Sequence, residues 1–497
     1  MSVMTSSLSP VHTLLMERAQ LAKDNPFLVV PSETGSPFVL SYGKLYNDVE
    51  RVRTALAQSG IHAEDRVGLQ LGSPQQFVVA WLALLTMGAV AVPLATSAPA
   101  TDVLRTLSRI SATTLVQNWD QEVRIVSVPA DISIPPATHH AYDGGGVILW
   151  TSGSTGEPKP VGIQTHALLH TANQVRIAHQ LTDSDIGYSP LPLFHVNAEV
   201  VALLASFLAG GTIVIPERFH RTTFWDEVLE HRVTWINAVP SILSVVARDT
   251  EGPLRNLSTE VRFVRSASMP LAPVTAERWE ERWGLRITET YGLSEAASQV
   301  TANSLEPEDR PRGSAGLPRG LKLRVVNEMG QCLPPHVVGG IEIRGQAVIN
   351  PLWGPNQWAA EKFRDGWYRT GDLGYLDEQG HLYLKGRMRE VINRGGEKIF
   401  PREIEEVVCE LPAVQECAVV GAPHPILGEE VVLFIVARDN AGESVVDIVM
   451  EHAKCMLAPY KVPSRVLLVS SLPTGPTGKL AKRRLEARLA AEDRDLA

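Results

Sequence analysis

Cysteine is scarce in this sequence, and long runs of positive charge are missing. Only four of the 497 residues are cysteine, namely Cys332, Cys409, Cys417 and Cys455. No two of them have the spacing C-x-x-C. This pattern indicates neither a zinc site nor a disulfide framework and is typical of a cytoplasmic protein. The net charge is −9, and no basic run is interleaved with aromatic residues, which argues against a nucleic-acid surface.

Signals for export or membrane insertion are also missing. The first residues, MSVMTSSLSP, contain no basic stretch followed by an apolar core, so we expect no signal peptide. Residues 77–94 carry no charge and are long enough to suggest a membrane-spanning helix. Gly88 and Pro93 interrupt this stretch, however, and its end has the pattern of a strand. We therefore predict a buried helix followed by a buried strand, and no membrane partner.

The hydrophobic content of 44% is enough for a large core and more than one domain. Strand patterns at residues 66–71, 89–92 and 114–117 alternate with helical patterns. This alternation predicts an α/β fold in which helices cover a parallel sheet.

The most informative segment is TSGSTGEPKP, at residues 151–160, which follows a predicted buried strand. It contains four hydroxyl side chains and two glycines, followed by Lys159. Accessible backbone N–H groups, hydroxyls and a lysine can together surround a phosphate. The alternative is a flexible surface turn, which has a similar composition. The segment does not fit the pattern G-x-x-x-x-G-K-[ST], so ATP bound here would use another scaffold.

This segment resembles the phosphate loop of the adenylate-forming superfamily, which includes acyl-CoA synthetases, peptide-synthetase adenylation domains and luciferases. That family usually has glycine at the position of Pro160, so the exit of the loop is expected to differ here. A second segment, ITETYGLSE at residues 287–295, resembles the family motif Y-G-x-[ST]-E. Six motifs follow the family's order between about residues 10 and 485. The resemblance implies a large N-terminal domain of helix-covered mixed and parallel sheets with a β-rich subdomain, residues 1–388, and a small mobile α+β domain, residues 389–497.

The second motif also makes chemical sense residue by residue. Tyr291 offers a ring face to a base, and Ser294 offers a hydroxyl to phosphate. Glu295 offers a carboxylate to Mg²⁺, which prefers one or two carboxylates together with phosphate oxygens.

The resemblance implies a set of residues for each substrate. ATP would contact the phosphate loop, a small-residue wall for adenine, the second motif, and two ribose or phosphate ligands: Thr151, Ser152, Gly153, Ser154, Thr155, Gly156, Lys159, Ser266, Ala267, Ser268, Glu289, Thr290, Tyr291, Gly292, Ser294, Asp372 and Arg387. The acyl pocket would be lined by His195, Asn197, Val239 and Ser266, and catalysis would depend on Lys479, Glu295 and His195.

The C-terminal domain carries the remaining family features. The hinge is expected at Arg389, and Gly395, Gly396 and Glu397 resemble the segment that borders the channel for coenzyme A. Lys479 resembles the catalytic lysine of an N-G-K motif, although Thr477 replaces the asparagine.

We therefore expect an acyl-CoA ligase that uses ATP, Mg²⁺ and coenzyme A to activate a carboxylic acid, as a monomer or homodimer. The alternative is an enzyme that only adenylates and passes the acyl-AMP to a carrier protein or partner enzyme. A non-catalytic protein on this fold should have lost Glu295, Asp372 or Lys479, and all three are present. No positive side chain stands out for a second carboxylate, so an aromatic, medium-chain or bulky apolar acid is expected.

Overall fold

The computed structural model describes residues 9–32, 35–128, 142–151, 158–248, 252–253, 257–269, 271–438, 444–473 and 480–495. Up to residue 151 the chain forms α1 (Pro10–Leu21), β1 (Pro26–Val30), β2 (Phe38–Ser41), α2 (Tyr42–Gln58), β3 (Arg66–Gln70), α3 (Pro74–Met87), β4 (Val90–Pro93), α4 (Ala100–Ser108), β5 (Thr114–Gln117), β6 (Arg124–Ser127) and β7 (Gly146–Thr151).

The next part of the chain contains β8 (Lys159–Gln164), α5 (Thr165–Ala178), β9 (Ile186–Tyr188), a π-helical segment (Asn197–Leu204), α6 (Ala205–Ala209), β10 (Thr212–Val214), α7 (Phe224–Glu230), β11 (Trp235–Ala238), α8 (Pro240–Ala247), β12 (Phe263–Ser266), α9 (Pro273–Trp283), β13 (Ile287–Tyr291), a 3₁₀ turn (Ser294–Ala296), β14 (Thr301–Ala302), a 3₁₀ turn (Pro307–Asp309) and β15 (Leu317–Pro318).

The remaining elements are β16 (Lys322–Val326), β17 (Gly339–Arg344), a 3₁₀ segment (Asn356–Lys362), β18 (Phe363–Arg364), β19 (Trp367–Leu376), β20 (Leu382–Arg387), a 3₁₀ turn (Met388–Glu390), β21 (Ile392–Arg394), β22 (Glu397–Ile399), α10 (Pro401–Cys409), β23 (Val414–His424), β24 (Gly428–Ala437), α11 (Val445–Met456), a 3₁₀ turn (Pro459–Lys461), β25 (Arg465–Leu468) and α12 (Lys482–Asp495).

Among the described residues the strands form four sheets. The N-terminal sheet has the order β6-β5-β3-β4-β7-β8, and the central sheet has the order β15-β14-β13-β12-β11-β9-β10-β1-β2. Both have parallel strands in the middle and antiparallel strands at their edges. Strands β9, β11, β12 and β13 are mutually parallel, so their carboxyl ends share one edge, where α/β sheets commonly bind ligands. The predicted α/β class is confirmed.

The uncharged stretch at residues 77–94 folds as the sequence predicts. Helix α3 begins at a cap in which Ser73 Oγ accepts a hydrogen bond from the Gln76 amide, and it ends at Gly88. Gly88 has a φ of 71°, a left-handed conformation that favours glycine after a helix. The helix packs against α1 and α2, and the buried strand β4 follows. Across the described ranges, no helix combines the length and apolar character that crossing a bilayer requires.

The sheet of the β-rich subdomain has the order β16-β17-β19-β18 with β20 paired to β19, and the C-terminal sheet has the order β22-β21-β24-β23 with β25 paired to β24. The C-terminal sheet packs within its own hydrophobic clusters, which include Ile404, Leu433 and Leu485. The 3₁₀ turn Met388–Glu390 links β20 to β21. A domain boundary at Arg389 agrees with this organisation and stays a prediction.

Candidate active site

The predicted phosphate loop joins two antiparallel strands. Thr151, the last residue of β7, pairs with Lys159, the first residue of β8. The ammonium of Lys159 lies 5.2 Å from the centroid of the Trp358 ring. Ser152, Gly153, Ser154, Thr155 and Gly156 lie outside the described residues. The structure therefore places both ends of the segment, and the predicted strand leading into it is confirmed.

Pro160 lies within β8, opposite Trp150. Strand β8 is at the edge of the N-terminal sheet, where a proline is tolerated because a neighbouring strand does not need its missing N–H group. The Pro160 carbonyl accepts a 2.7 Å hydrogen bond from the Trp358 indole. The residue that departs from the family pattern is thus accommodated by its place in the sheet.

Tyr291, Asp372 and Arg387 come together from three strands. The Tyr291 hydroxyl donates a 2.6 Å hydrogen bond to Oδ2 of Asp372, and Nε of Arg387 lies 3.3 Å from Oδ1 of the same carboxylate. Asp372 and Arg387 are direct partners in the pairing of β19 with β20. Burial, followed by the Asp372 charge, raises the pKa of Tyr291 well above its ordinary value of 10.0. Tyr291 therefore stays a hydrogen-bond donor at neutral pH.

Glu295 lies close to this cluster. It belongs to the 3₁₀ turn Ser294–Ala296, and its carbonyl accepts a 2.9 Å hydrogen bond from the Ile349 amide. The pKa of Tyr368 is raised, first by burial and then by the neighbouring carboxylates of Glu295 and Asp372. Both predicted acidic residues thus face the same buried tyrosine.

The predicted adenine wall follows β12. Ser266 ends this strand, and its carbonyl accepts a 3.0 Å hydrogen bond from the Thr290 hydroxyl. Ala267 is buried, and Ser268 has a φ of 77°, so the chain turns sharply after the strand. Gly292 is required sterically, since a Cβ atom there would lie 1.4 Å from the Ser298 carbonyl oxygen. The small residues therefore shape the backbone at the ends of β12 and β13.

Glu289 is paired in register with Ser266. Burial raises its pKa to about 7, while Arg402 lowers it and Glu406 raises it. Arg402 and Glu406 belong to α10, so this helix lies near the predicted adenine wall.

The predicted acyl-pocket residues lie at the carboxyl edge of the central sheet. His195 is half-buried, and its ring centroid lies 4.5 Å from that of Phe194. Asn197 begins the π-helical segment that follows, and Val239 precedes α8 in an extended conformation. The apolar helix after His195 is π-helical in its first part. This geometry is rare in proteins overall, and where it occurs it is often at a functional site.

Arg265 is not among the residues that the sequence motifs indicate. It is the third residue of β12 and is only 1% exposed. It donates hydrogen bonds to Asn197 at 3.2 Å and to Asn237 at 2.9 Å, both through Nη1. A positive charge inside a short apolar strand is the signal that could have identified it, because buried arginines are rare unless they are paired.

Of the site residues predicted in the C-terminal part of the chain, Gly395, Gly396 and Glu397 lie within the described residues. Gly395 and Gly396 have φ values of 61° and 95° in the turn between β21 and β22, and Glu397 is exposed at the start of β22. Lys479 lies outside the described residues. The residues that flank its segment are bonded to each other, since the Ala481 amide donates a 2.8 Å hydrogen bond to the Pro473 carbonyl.

Helix α12 follows that segment closely and is anchored beside the predicted hinge. The Lys482 ammonium lies 2.6 Å from a Glu405 carboxylate oxygen and 3.7 Å from one of Glu390, which belongs to the turn Met388–Glu390.

The sequence matches known families in two places. The family described as AMP-binding enzyme matches residues 15–353, and the family described as AMP-binding enzyme C-terminal domain matches residues 403–479. The chain belongs to the family of AMP-binding enzymes.

Several curated AMP-binding enzymes are similar over most of their length. Sulfoacetate–CoA ligase from Cupriavidus necator is 34% identical over 95% of this chain and 96% of its own. Oxalate–CoA ligase from Arabidopsis thaliana is 32% identical over 90% of this chain and 93% of its own. The solved structure of O-succinylbenzoate coenzyme A synthetase from Bacillus subtilis, in complex with ATP and magnesium ion, has a TM-score of 0.81 and 27% identity, covering 96% of this chain and 99% of its own.

These matches confirm the predicted adenylate-forming superfamily and fold. They also confirm the predicted activity, that of an AMP-forming acid–thiol ligase that uses ATP and coenzyme A. The roles of individual residues stay predictions.

Proposed function

We propose that ATP binds between the β7–β8 hairpin and the cluster of Tyr291, Asp372 and Arg387. The main support for this proposal is the position of the Asp372 carboxylate. Tyr291 contacts one of its two oxygens, and Arg387 contacts the other. A carboxylate has about four acceptor sites, so capacity remains for two ribose hydroxyls. The Asp372 side chain is 14% exposed, which leaves a surface for a ligand.

We propose Glu295 as the protein ligand of Mg²⁺. Its carboxylate is half-buried beside Tyr368 and provides the kind of oxygen donor that Mg²⁺ takes together with phosphate oxygens. The similar Bacillus subtilis synthetase has been solved with ATP and magnesium ion. When bound, the ion would supply positive charge that offsets the repulsion between triphosphate and carboxylate.

In the first half-reaction an oxygen of the acid attacks the α-phosphorus of ATP, an acyl–phosphate bond forms, and pyrophosphate leaves. Lys159 and Lys479 are proposed to stabilise the negative charge that the two reactants bring together. Lys479 would bridge the acyl oxygens and the α-phosphate, as a preorganised electrostatic group. His195 is proposed to line the acyl side of the same site.

In the second half-reaction the sulfur of coenzyme A attacks the acyl carbon, and AMP leaves. Residues 389–497 are proposed to rotate about Arg389, so that Lys479 withdraws and the turn with Gly395, Gly396 and Glu397 approaches. The contact of Lys398 with Glu328, at 3.4 Å, supports this motion because both side chains are highly exposed. Exposed ion pairs contribute little, so such a contact would not hold the domains in one arrangement.

The relatives suggest a class of acid. Sulfoacetate and oxalate, for which the two ligases are named, each carry a second acidic group. The expectation of an aromatic, medium-chain or bulky apolar acid depends on the lack of a positive side chain for a second carboxylate, whereas Arg265 donates a hydrogen bond to Asn197, a residue of the predicted acyl pocket. We therefore propose short acids with a second acidic group as the first substrates to test.

The decisive experiment compares two assays over one panel of acids that includes oxalate, malonate, sulfoacetate, benzoate and octanoate. The proposed ligase should release AMP only when ATP, an acid and coenzyme A are all present, and it should exchange pyrophosphate without coenzyme A. Exchange without any AMP release that depends on coenzyme A would favour the enzyme that only adenylates. Failure of both assays with every acid would refute the proposed function.

A further inference from the structure

The environment of Arg265 is unusual for a buried cation. Its guanidinium contacts three neutral amide side chains: those of Asn197, Asn237 and Gln299, the last at 3.3 Å from Nη2. Within the described residues no carboxylate lies within ion-pair distance of Arg265. A buried charge without a counter-charge is costly, so the structure contains a positive site that an anion would stabilise.

The orientation of the amides follows from the chemistry of arginine. A guanidinium has only donors, so Asn197, Asn237 and Gln299 must turn their oxygens toward it. Asn237 turns its nitrogen away and donates to Asn197 Oδ1 at 3.2 Å and to Ser189 Oγ at 3.3 Å. The network therefore has one self-consistent arrangement.

The buried polar atoms of Arg265, Asn197 and Gln299 that lack a hydrogen-bond partner in the described part of the chain are all donors. Three buried nitrogens of these side chains have no hydrogen-bond partner among the described residues: Nε of Arg265, Nδ2 of Asn197 and Nε2 of Gln299. The three side chains are at most 7% exposed. Buried donors without acceptors cost free energy, and an anion with several oxygens would satisfy them.

The position of these donors relates them to the acid. Arg265 and Asn237 lie near the carboxyl ends of β12 and β11, and Asn197 follows the loop after β9. Ser266, the neighbour of Arg265, is a predicted acyl-pocket residue, as is Asn197. The cationic cluster therefore lies beside the place where the acid is proposed to bind.

We propose that Arg265, Asn197 and Gln299 form a subsite for a second anionic group, a carboxylate or sulfonate, on the acid that this ligase activates. The inference rests on the proposed function and names its substrate class. The first carboxylate of the acid would be adenylated, and the second would accept hydrogen bonds from the leftover donors. The competing explanation is a purely structural brace between β11, β12 and the π-helical segment.

Matched pairs of acids separate these explanations. Sulfoacetate is paired with methylsulfonylacetate, and malonate with malonamate, because each pair keeps its shape and differs in the second charge. The assay is AMP release that depends on coenzyme A. We expect kcat/KM to favour the dianion of each pair on the order of 10²–10³-fold, as for a buried charge that loses its partner. Equal kcat/KM within both pairs would overturn the subsite and leave the ligase function intact.

Two variants locate the preference. Arg265→Met should reduce the dianion preference to near one. Gln299→Met keeps the guanidinium and removes one donor, so it should reduce the preference about 10-fold. Should Arg265→Met fail to fold, the result for Gln299→Met decides, and an unchanged preference in that variant would overturn the proposal.

Arg310 supplies the matched control. It is also a buried arginine, 7% exposed, and it donates to the Arg286 carbonyl and the Thr288 hydroxyl. Arg310→Met should change kcat/KM for both members of a pair by the same factor. A loss of dianion preference in Arg310→Met equal to that in Arg265→Met would assign the effect to general destabilisation and overturn the subsite.

Discussion

The hydroxyl of Tyr291 donates a 2.6 Å hydrogen bond to Oδ2 of Asp372, a residue 81 positions later in the chain. Tyr291 ends β13 of the central sheet, and Asp372 lies in β19 of the β-rich subdomain. This bond therefore connects the two parts of the proposed nucleotide site. It also orients a carboxylate whose other side-chain contact, among the described residues, is with Arg387.

Tyr291→Phe removes the donor and keeps the ring. We expect the KM for ATP to rise about 10- to 100-fold, because a hydrogen bond to a charged group contributes about 1.5–3 kcal/mol. The measurement is pyrophosphate exchange as a function of ATP concentration. Tyr375→Phe is the control, since Tyr375 also lies in β19 but stacks on Tyr383 with ring centroids 4.8 Å apart. An unchanged KM for ATP in Tyr291→Phe would show that the hydrogen bond from Tyr291 to Asp372 does not contribute to ATP binding.

Local patterns predict much of the fold. The strand at residues 114–117 and the buried helix and strand within residues 77–94 are found where periodicity and the positions of glycine and proline place them. The meeting of Tyr291 with Asp372 follows from the sequence only through the family resemblance, since no local pattern relates residues so far apart. Their direct hydrogen bond is information that only the structure supplies.

Other parts of the site depend on tertiary contacts. Arg265 takes its partners from the π-helical segment, from β11 and from the chain before β14, and no spacing in the sequence relates these positions. The family pattern predicts that Pro160 alters the exit of the loop, and its tolerance depends on β8 being an edge strand. Whether a strand lies at the edge or in the centre of a sheet depends on the order of the strands. The sequence around a single strand does not reveal that order.

Lys479→Ala should separate the two half-reactions. We expect adenylate formation to fall on the order of 10²–10³-fold, the usual cost of losing one preorganised electrostatic group. Thioester formation from a supplied acyl-adenylate should be spared, because Lys479 is proposed to withdraw before it. The measurements are pyrophosphate exchange and release of AMP from synthetic acyl-adenylate with coenzyme A. Equal loss in both assays would contradict the role given to Lys479, and the exposed Lys454→Ala serves as the control.

Arg389→Pro tests the hinge. Arg389 lies in the turn between β20 and β21, and proline would fix its φ near −65°. We expect pyrophosphate exchange to stay largely intact and thioester formation to fall at least about 10-fold, because only the second step is proposed to need rotation. Arg389→Ala is the matched control, since it removes the side chain and keeps the backbone free. Unchanged thioester output in Arg389→Pro would exclude Arg389 as the hinge.

Glu199 is a fully buried acid in the π-helical segment, and its carboxylate lies beside the Trp81 side chain. Burial raises its pKa well above the ordinary value of 4.5. The folded protein therefore holds this proton at pH values where the unfolded chain has released it. The contribution of Glu199 to the free energy of unfolding is therefore most favourable below pH 4.5. It is lost progressively as the pH rises toward the folded-state pKa.

Glu199→Gln removes this titration and keeps nearly the same shape. The difference in free energy of unfolding, variant minus wild type, should be smallest at about pH 4 and should grow in favour of the variant as the pH rises. The steepest slope should be about 1.4 kcal/mol per pH unit, the value for one proton. Denaturant unfolding at a series of pH values between about 4 and 8 measures it. A difference that does not change with pH would show that Glu199 is ionised in the folded protein, with a counter-charge that compensates for its burial.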